Sequence, residues 1–273
     1  MSKLLKQFQV VGENEEHRQY LRQLRREYWL IKFSQLTLLL LLLGLWEVAS
    51  SLHWINPLLF SSPKKIFLLF LEMISTGEIY RHAIITILET IVGFLLGTIL
   101  GTLVAILIWF SPFLSKVLDP YIVVLNGLPK VALGPLFIVA FGGGYIAIIT
   151  MAIAISIIVT IIVVYSSFQE VDENYLKLAR SFGATKRQSF SKIVWPASLS
   201  SIIATLKVNV GLAWVGVIVG EFLVSKAGLG YLMIYGFQVF NLTLVMLSLL
   251  LIGLFATIMY QGVSYIERRI LRR

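Results

Sequence analysis

The chain has no cysteine, and only 14% of its 273 residues are charged. Without cysteine there is no disulfide and no thiolate to serve as nucleophile or metal ligand. The three histidines, His17, His53 and His82, are scattered and make no metal-ligating pattern. No Gly-x4-Gly-Lys-Ser/Thr phosphate loop occurs, so ATP is not held by that route. No Ser, His and Asp set can be argued for nucleophilic chemistry. Catalytic residues, a metal site and a cofactor bound by this chain are therefore not expected, and the protein does not read as an enzyme. Because the first thirty residues are charged rather than apolar, no cleavable signal peptide is expected either.

What the chain does have is apolar surface. Hydrophobic residues make up 58% of it and the mean hydropathy is +0.87, more than a soluble protein of this size can hide. The fold class expected is an all-α membrane protein. About 20 residues at roughly 1.5 Å each cross a ~30 Å hydrocarbon core. By that measure six apolar segments span, at about 33–52, 82–110, 121–142, 144–165, 200–224 and 240–262. Segment 82–110 is long enough either to tilt or to extend beyond the core.

An even number of spans puts both termini on one side, and the basic residues say which. Seven Lys/Arg fall in 1–32, one in 111–120, five in 166–199 and four in the tail, against Lys64, Lys65, Arg81 and Lys226 on the other side. By the positive-inside rule both termini and the 166–199 loop are cytoplasmic. The domains expected are a charged N-terminal segment, 1–32, a six-helix transmembrane body, 33–262, with its loop 166–199, and a basic tail, 263–273. The net charge of +9 is mostly used by this topology and requires no nucleic acid. Arg18, Arg22, Arg25 and Arg26 recur on one side of a helix, with Tyr28, Trp29 and Phe33 as an interfacial anchor; anionic lipid is the expected contact, a regulatory partner the alternative. The run Ile66 to Ile74 is too short to span and reads as a helix at the outer surface.

The stretch Val171 to Pro196 is polar and basic between apolar spans. Val171, Tyr175, Leu178 and Phe182, at steps of four, three and four, line one face of a short helix. Gly183 supplies the positive φ where that helix stops. Thr185 followed by Gln188 is a capping-box pattern that starts a second helix, and Pro196 restricts how that helix ends. A short helix, a glycine hinge and a second helix make a knob suited to receive force from a soluble partner.

This knob resembles the cytoplasmic signature loop of ATP-binding-cassette importer permeases: Glu-Ala-Ala, three residues, Gly, nine residues, then Ile-x-Leu-Pro. Here the positions hold Lys177, Leu178 and Ala179, then Gly183, then Ile193, Val194, Trp195 and Pro196. Leu88-Glu-Thr-Ile-Val-Gly-Phe-Leu-Leu-Gly, Leu128-Pro-Lys-Val-Ala-Leu-Gly-Pro-Leu and Gly220-Glu-Phe with Gly228-Leu-Gly-Tyr are similar to the nitrate, sulfonate and taurine branch, which includes permeases for thiamine-precursor pyrimidines and riboflavin. The resemblance covers roughly 45–262 and implies a type I importer-permease fold in the bacterial cytoplasmic membrane. It also implies a second permease copy, two cytoplasmic ATPase subunits carrying ATP and Mg, and an extracytoplasmic solute-binding protein. The residues it assigns to ATPase coupling are Val171, Glu173, Tyr175, Lys177, Leu178, Ala179, Phe182, Gly183, Ile193 and Pro196. Lys177 stands where the family has Glu, and Glu170, Asp172 or Glu173 are placed to substitute for it.

Candidates for the substrate pathway are Asn126, Pro129, Lys130, Asn209, Trp214, Glu221 and Gln238. Asn126-Gly127, Pro129 and Gly134-Pro135 interrupt the third span, and broken backbone survives at membrane depth only beside protein or a water-filled cavity. Lys130 reads either as a lysine snorkelling to the interface or as a pathway cation. Glu221 reads as a structural hydrogen-bonding group or a substrate contact, and Glu89 as a partner of Arg81 or Lys130. Gly93, Gly97 and Gly101 present a smooth face for packing within the chain or across a dimer. The alternative function is a secondary transporter or channel not driven by ATP, which would show inverted repeats and matching broken helices; only the third span is clearly broken.

Overall fold

The computed structural model of the protein describes residues 15–270. The start of the charged N-terminal segment, 1–14, and the last residues of the basic tail, 271–273, lie outside the described residues. Every described element is helical, as a chain in hydrocarbon must be to satisfy its own backbone. The chain divides into two compact units, Met1–Ile66 and Phe67–Arg273.

In the first unit, α1 (Glu15–Ser51) runs from the basic segment through the first apolar stretch without a break. The short α2 (Pro57–Phe60) is capped by Asn56, whose side chain accepts from the Leu58 amide. The loop folds back on the end of α1. Ser50 Oγ donates to the Ser61 carbonyl at 2.8 Å, Trp46 Nε1 donates to the Phe60 carbonyl at 3.2 Å, and Glu47 accepts the Lys64 amide at 2.9 Å. That last contact places a carboxylate at the positive end of α3 (Pro63–Thr76), the helix expected from the Ile66–Ile74 run.

The second unit holds the remaining spans: α4 (Glu78–Phe110), α5 (Pro112–Gly127), a 3-10 turn (Lys130–Leu133), α6 (Gly134–Phe141) and α7 (Tyr145–Gln169). Then come α8 (Glu173–Ser181), α9 (Lys186–Ser189), a π turn (Phe190–Val194), α10 (Trp195–Val224), α11 (Leu229–Gln238) and α12 (Leu242–Ile270). Among the described residues of the whole chain, five helices, α1 included, are long and apolar enough to cross a membrane, or six when the bent pair α5 and Lys130–Phe141 counts as one span.

Helices α4, α7 and α10 form the heart of this unit, and small residues let them approach. A Cβ at Gly93 would lie 2.5 Å from Ala152 Cβ, one at Gly101 would lie 2.6 Å from Thr160 Cβ, and one at Gly97 would overlap Ser156 Oγ. From α10, Gly216 sits against the Ala152 backbone. The glycine stripe therefore packs within the chain, where dispersion over a close backbone contact drives association. Asn209 of α10, fully buried, donates from Nδ2 to Thr98 of α4 at 2.8 Å and to Thr160 of α7 at 2.7 Å. Lys207 pairs with Glu267 of α12 at 2.7 Å.

Two spans differ from expectation. The third starts at Pro112, well before 121: Ser111 caps it by accepting the Leu114 amide, and proline at the first turn loses no hydrogen bond. It then bends by 93° at Leu128-Pro129, where Lys130 Nζ donates to the Asn126 carbonyl at 3.0 Å. The helix that starts at Thr185 does not end at Pro196 but runs on into the fifth span as one stretch, Lys186–Val224. The π turn explains how. The Trp195 amide bonds back to the Phe190 carbonyl, and this local widening accommodates a proline that would otherwise break the ladder.

Candidate functional site: the elbow between the fourth and fifth spans

Helix α8 is built from its ends. Asp172 accepts the Asn174 amide at 2.8 Å and so caps the start. At the other end Gly183, at φ 77°, closes the helix: its amide bonds to the Arg180 carbonyl and the Ala184 amide to the Ala179 carbonyl. This is the paired bonding of a Schellman motif, a fixed turn rather than a loose hinge. Thr185 and Gln188 then complete a reciprocal capping box and begin the next helix.

The elbow stands on an aromatic base. The Phe190 ring lies 4.9 Å from Trp109, 5.1 Å from Phe110, 5.4 Å from Phe168 and 6.1 Å from Trp195. Val171 and Leu176 pack on the same cluster. Lys186 Nζ donates to the Phe110 carbonyl at 2.8 Å and sits 5.3 Å from the Trp109 ring centroid, a cation at the carbonyl end of α4.

Val171 therefore does not share a face with Tyr175, Leu178 and Phe182. It precedes the Asp172 cap and turns inward, while those three are exposed, Phe182 at 82%. Ala179 and Ile193 are half-buried between them, and with Lys192 and Ala197 they line a shallow apolar groove of about 410 Å³. Lys177 and Glu173, both exposed, pair at 3.1 Å across one helical turn. Pro196 is exposed in the first turn of α10.

At the far end of α10, Glu221 is fully buried. Its carboxylate accepts the Thr86 hydroxyl and the Gly230 amide, each at 2.6 Å. The Leu229 amide donates to Thr86 Oγ1 at 2.7 Å and the Gly228 amide to His82 Nδ1 at 2.9 Å. Together these groups hold the amide end of α11 onto α4 and α10. Glu89 meets neither Arg81 nor Lys130 in an ion pair; it is buried beside Glu221, because its place on α4 turns it toward α10.

The other pathway candidates separate into two sets. Asn209 is buried between α10, α4 and α7 and Trp214 among α4, α10 and α12, whereas Asn126, Pro129 and Gln238 are exposed, and Lys130 is half-buried at the bend. A cavity of about 360 Å³ between α5 and α7 is lined by Asn126, Asp119, Ser115 and Tyr165, the last two joined at 2.7 Å. Sequence reasoning did not find His82, Thr86 and Lys186. The signal for the first two was the pair Gly228 and Gly230, side-chain-free positions that leave room for a carboxylate.

The family described as "Binding-protein-dependent transport system inner membrane component" matches residues 93–272. The putative aliphatic sulfonates transport permease protein SsuC of Bacillus subtilis (strain 168) is 29% identical over 231 residues, 85% of this chain and 84% of that one. The riboflavin transport system permease protein RibX of Chloroflexus aurantiacus is 28% identical over 251 residues, 92% of this chain and 93% of that one. Among solved structures, the MetNI methionine ABC transporter in an inward-facing crystal form aligns with a TM-score of 0.62 at 18% identity, over 72% of this chain and 97% of that one. That likeness shows the type I importer-permease fold. The chain belongs to the binding-protein-dependent inner-membrane component family: it is a permease subunit of an ATP-binding-cassette importer, not an enzyme, and a multi-pass protein of the bacterial cytoplasmic membrane whose family works with an ATPase and a substrate-binding protein.

Proposed function

We propose that two copies of this chain enclose one solute pathway and that each is driven through its 171–196 elbow by a cytoplasmic ATPase subunit. The observation that carries this reading is the continuity of Lys186–Val224. Force applied to α8 passes through the Schellman turn and the aromatic base into a helix that crosses the membrane and ends at the Glu221 clamp. A rigid helix transmits such a displacement, whereas a flexible loop would absorb it. Tyr175, Leu178 and Phe182, large and exposed on one face of α8, are the side chains offered to the ATPase. Glu173 stands in for the acid that Lys177 replaces.

The orientation follows the bias of basic residues, which puts the elbow in the cytoplasm and the 53–81 and 225–240 regions outside, where a solute-binding protein delivers its cargo. Anionic lipid is the partner of the basic face of 13–32. The pathway is lined from α5, which has no buried residue, and from the bend, where Pro129 is exposed and Lys130 half-buried; these faces are available to a second copy. The solute we propose is a small organic molecule of the aliphatic sulfonate class, on the strength of the SsuC relative and the scarcity of charge in the spans.

A single introduced cysteine tests the coupling: Phe182→Cys in this otherwise cysteine-free chain, carrying a thiol-anchored photo-cross-linker in native membranes. Capture of a nucleotide-hydrolysing subunit is expected; failure to capture one, or uptake that persists without the ATPase, would favour the secondary-transporter reading. Uptake of labelled alkanesulfonates by the reconstituted importer tests the solute, and uptake of a heterocycle in their place would reassign it.

A further inference from the structure

We propose that the cavity between α8 and the end of α4 binds the phosphodiester headgroup of an anionic phospholipid. This site is separate from the ATPase-facing side chains and goes beyond the coupling role.

The cavity, about 440 Å³, is lined by Trp109, Leu176, Arg180, Ala184, Lys186 and Ser189. Its two charged groups are both cations, and among the described residues neither makes an ion pair. The nearest acid on α8 by position, Glu173, is engaged by Lys177. Lys186 uses one donor on the Phe110 carbonyl and keeps two. Ser189 is only 6% exposed, and its hydroxyl finds no hydrogen-bond partner in the protein. A buried hydroxyl without a partner is unusual and marks a place where a ligand or water completes the bonding. A guanidinium, an ammonium and a hydroxyl around one cavity match the oxygens of a phosphodiester.

The membrane level of the cavity selects lipid over a soluble anion. Trp109 and Phe110 end a membrane-spanning helix, the position at which aromatic side chains sit among headgroups. Leu103, Leu107 and Phe110 follow at steps of four and three on one face of α4, and both leucines are exposed. An acyl chain lying on that stripe would lead to the rings over which Lys186 sits. Basic pockets between spans on the cytoplasmic side recognise anionic headgroups by this combination. Leu176 and Arg180, one turn apart, line the cavity, while Tyr175, Leu178 and Phe182 occupy another face of α8, so lipid and ATPase do not compete.

Native mass spectrometry of the detergent-solubilised full chain tests the site, titrating phosphatidylglycerol and phosphatidylcholine of matched acyl chains. Wild type is expected to bind phosphatidylglycerol about tenfold more tightly, with that preference lost in Arg180→Gln and reduced several-fold in Ser189→Ala, the scale of one charge-assisted and one neutral hydrogen bond. Lys64→Gln is expected to leave it intact. Equal binding of the two lipids by wild type, or an undiminished preference in both cavity variants, would overturn the proposal. Displacement by millimolar inorganic phosphate would reassign the cavity to free anions, and release of the lipid on adding the ATPase would reassign it to that subunit.

Discussion

The Glu221 carboxylate accepts the Gly230 amide at 2.6 Å, joining the end of one membrane span to the start of the helix that follows. A carboxylate at the amide end of a helix satisfies donors that the helix itself leaves open. The same group takes the Thr86 hydroxyl, so a single side chain ties three helices. Glu221→Ala is expected to lower stability by about 1–3 kcal/mol, the cost of leaving buried hydrogen-bonding partners unsatisfied. Glu221→Gln, which keeps an acceptor oxygen, should lose less. Hydrogen exchange at residues 228–231 measures it: unchanged protection in the alanine variant would show that the clamp is not what holds α11.

Gly216 and Gly211 lie on the same helix and should respond oppositely to alanine. A Cβ at Gly216 would enter the Ala152 backbone, which cannot yield, while one at Gly211 meets nothing within 4 Å. Gly216→Ala is expected to cost about 1–3 kcal/mol through overpacking. Gly211→Ala should be neutral or stabilising by up to about 1 kcal/mol, through helix propensity. Thermal unfolding in detergent compares them, and equal midpoints would contradict the close α7–α10 packing.

Gly183 has open space around it but a φ of 77°, so any effect of substitution there comes from the backbone alone. Gly183→Val is expected to cost on the order of 1–2 kcal/mol in the left-handed region and to reduce ATP-coupled uptake while insertion is preserved. Gly183→Asn, a residue that tolerates this conformation, should retain uptake. Equal uptake by the valine and asparagine variants would remove the turn from the coupling route.

Lys177→Glu would exchange an attractive one-turn pair with Glu173 for a repulsive one. Both side chains are largely in solvent, so the helix should lose no more than about 1 kcal/mol. Co-purification with the ATPase is expected to be retained or improved, since the signature loop that this elbow resembles carries glutamate at the corresponding place. Complete loss of assembly would show that the lysine itself makes a required contact.

The Lys207–Glu267 pair joins the fifth and last spans with little exposure of either side chain. Lys207→Met alone leaves a largely buried carboxylate without its cation and should destabilise by about 1–3 kcal/mol; adding Glu267→Leu is expected to recover most of the loss. A double-mutant cycle measures the coupling, and strictly additive losses would deny the interaction.

What could be read from residue order obeys rules that act within a few positions. Apolar runs long enough to cross a membrane, the glycine at 183 and the Thr185–Gln188 box each depend on neighbours three or four residues apart or on a continuous stretch. The glycine repeat at 93, 97 and 101 was visible for the same reason, though not whether its partner lay in this chain or another. Pro196 misled because its cost to a helix is local, whereas the π turn that absorbs it depends on Phe190 and Trp195 packing into the aromatic base. Glu89 and Glu221 were recognised as acids needing partners and Asn209 was read as a pathway candidate, but the partners come from other helices: Thr98 and Thr160 for Asn209, Thr86 and Gly230 for Glu221. Which helices approach, and with what register, is set by the sum of many small contacts along α4, α7 and α10. No single segment carries that sum, so membrane class and the order of the spans were legible in the linear chain, while the start of the third span, the run of the fifth through Pro196 and the polar connections between helices were settled only when the helices packed.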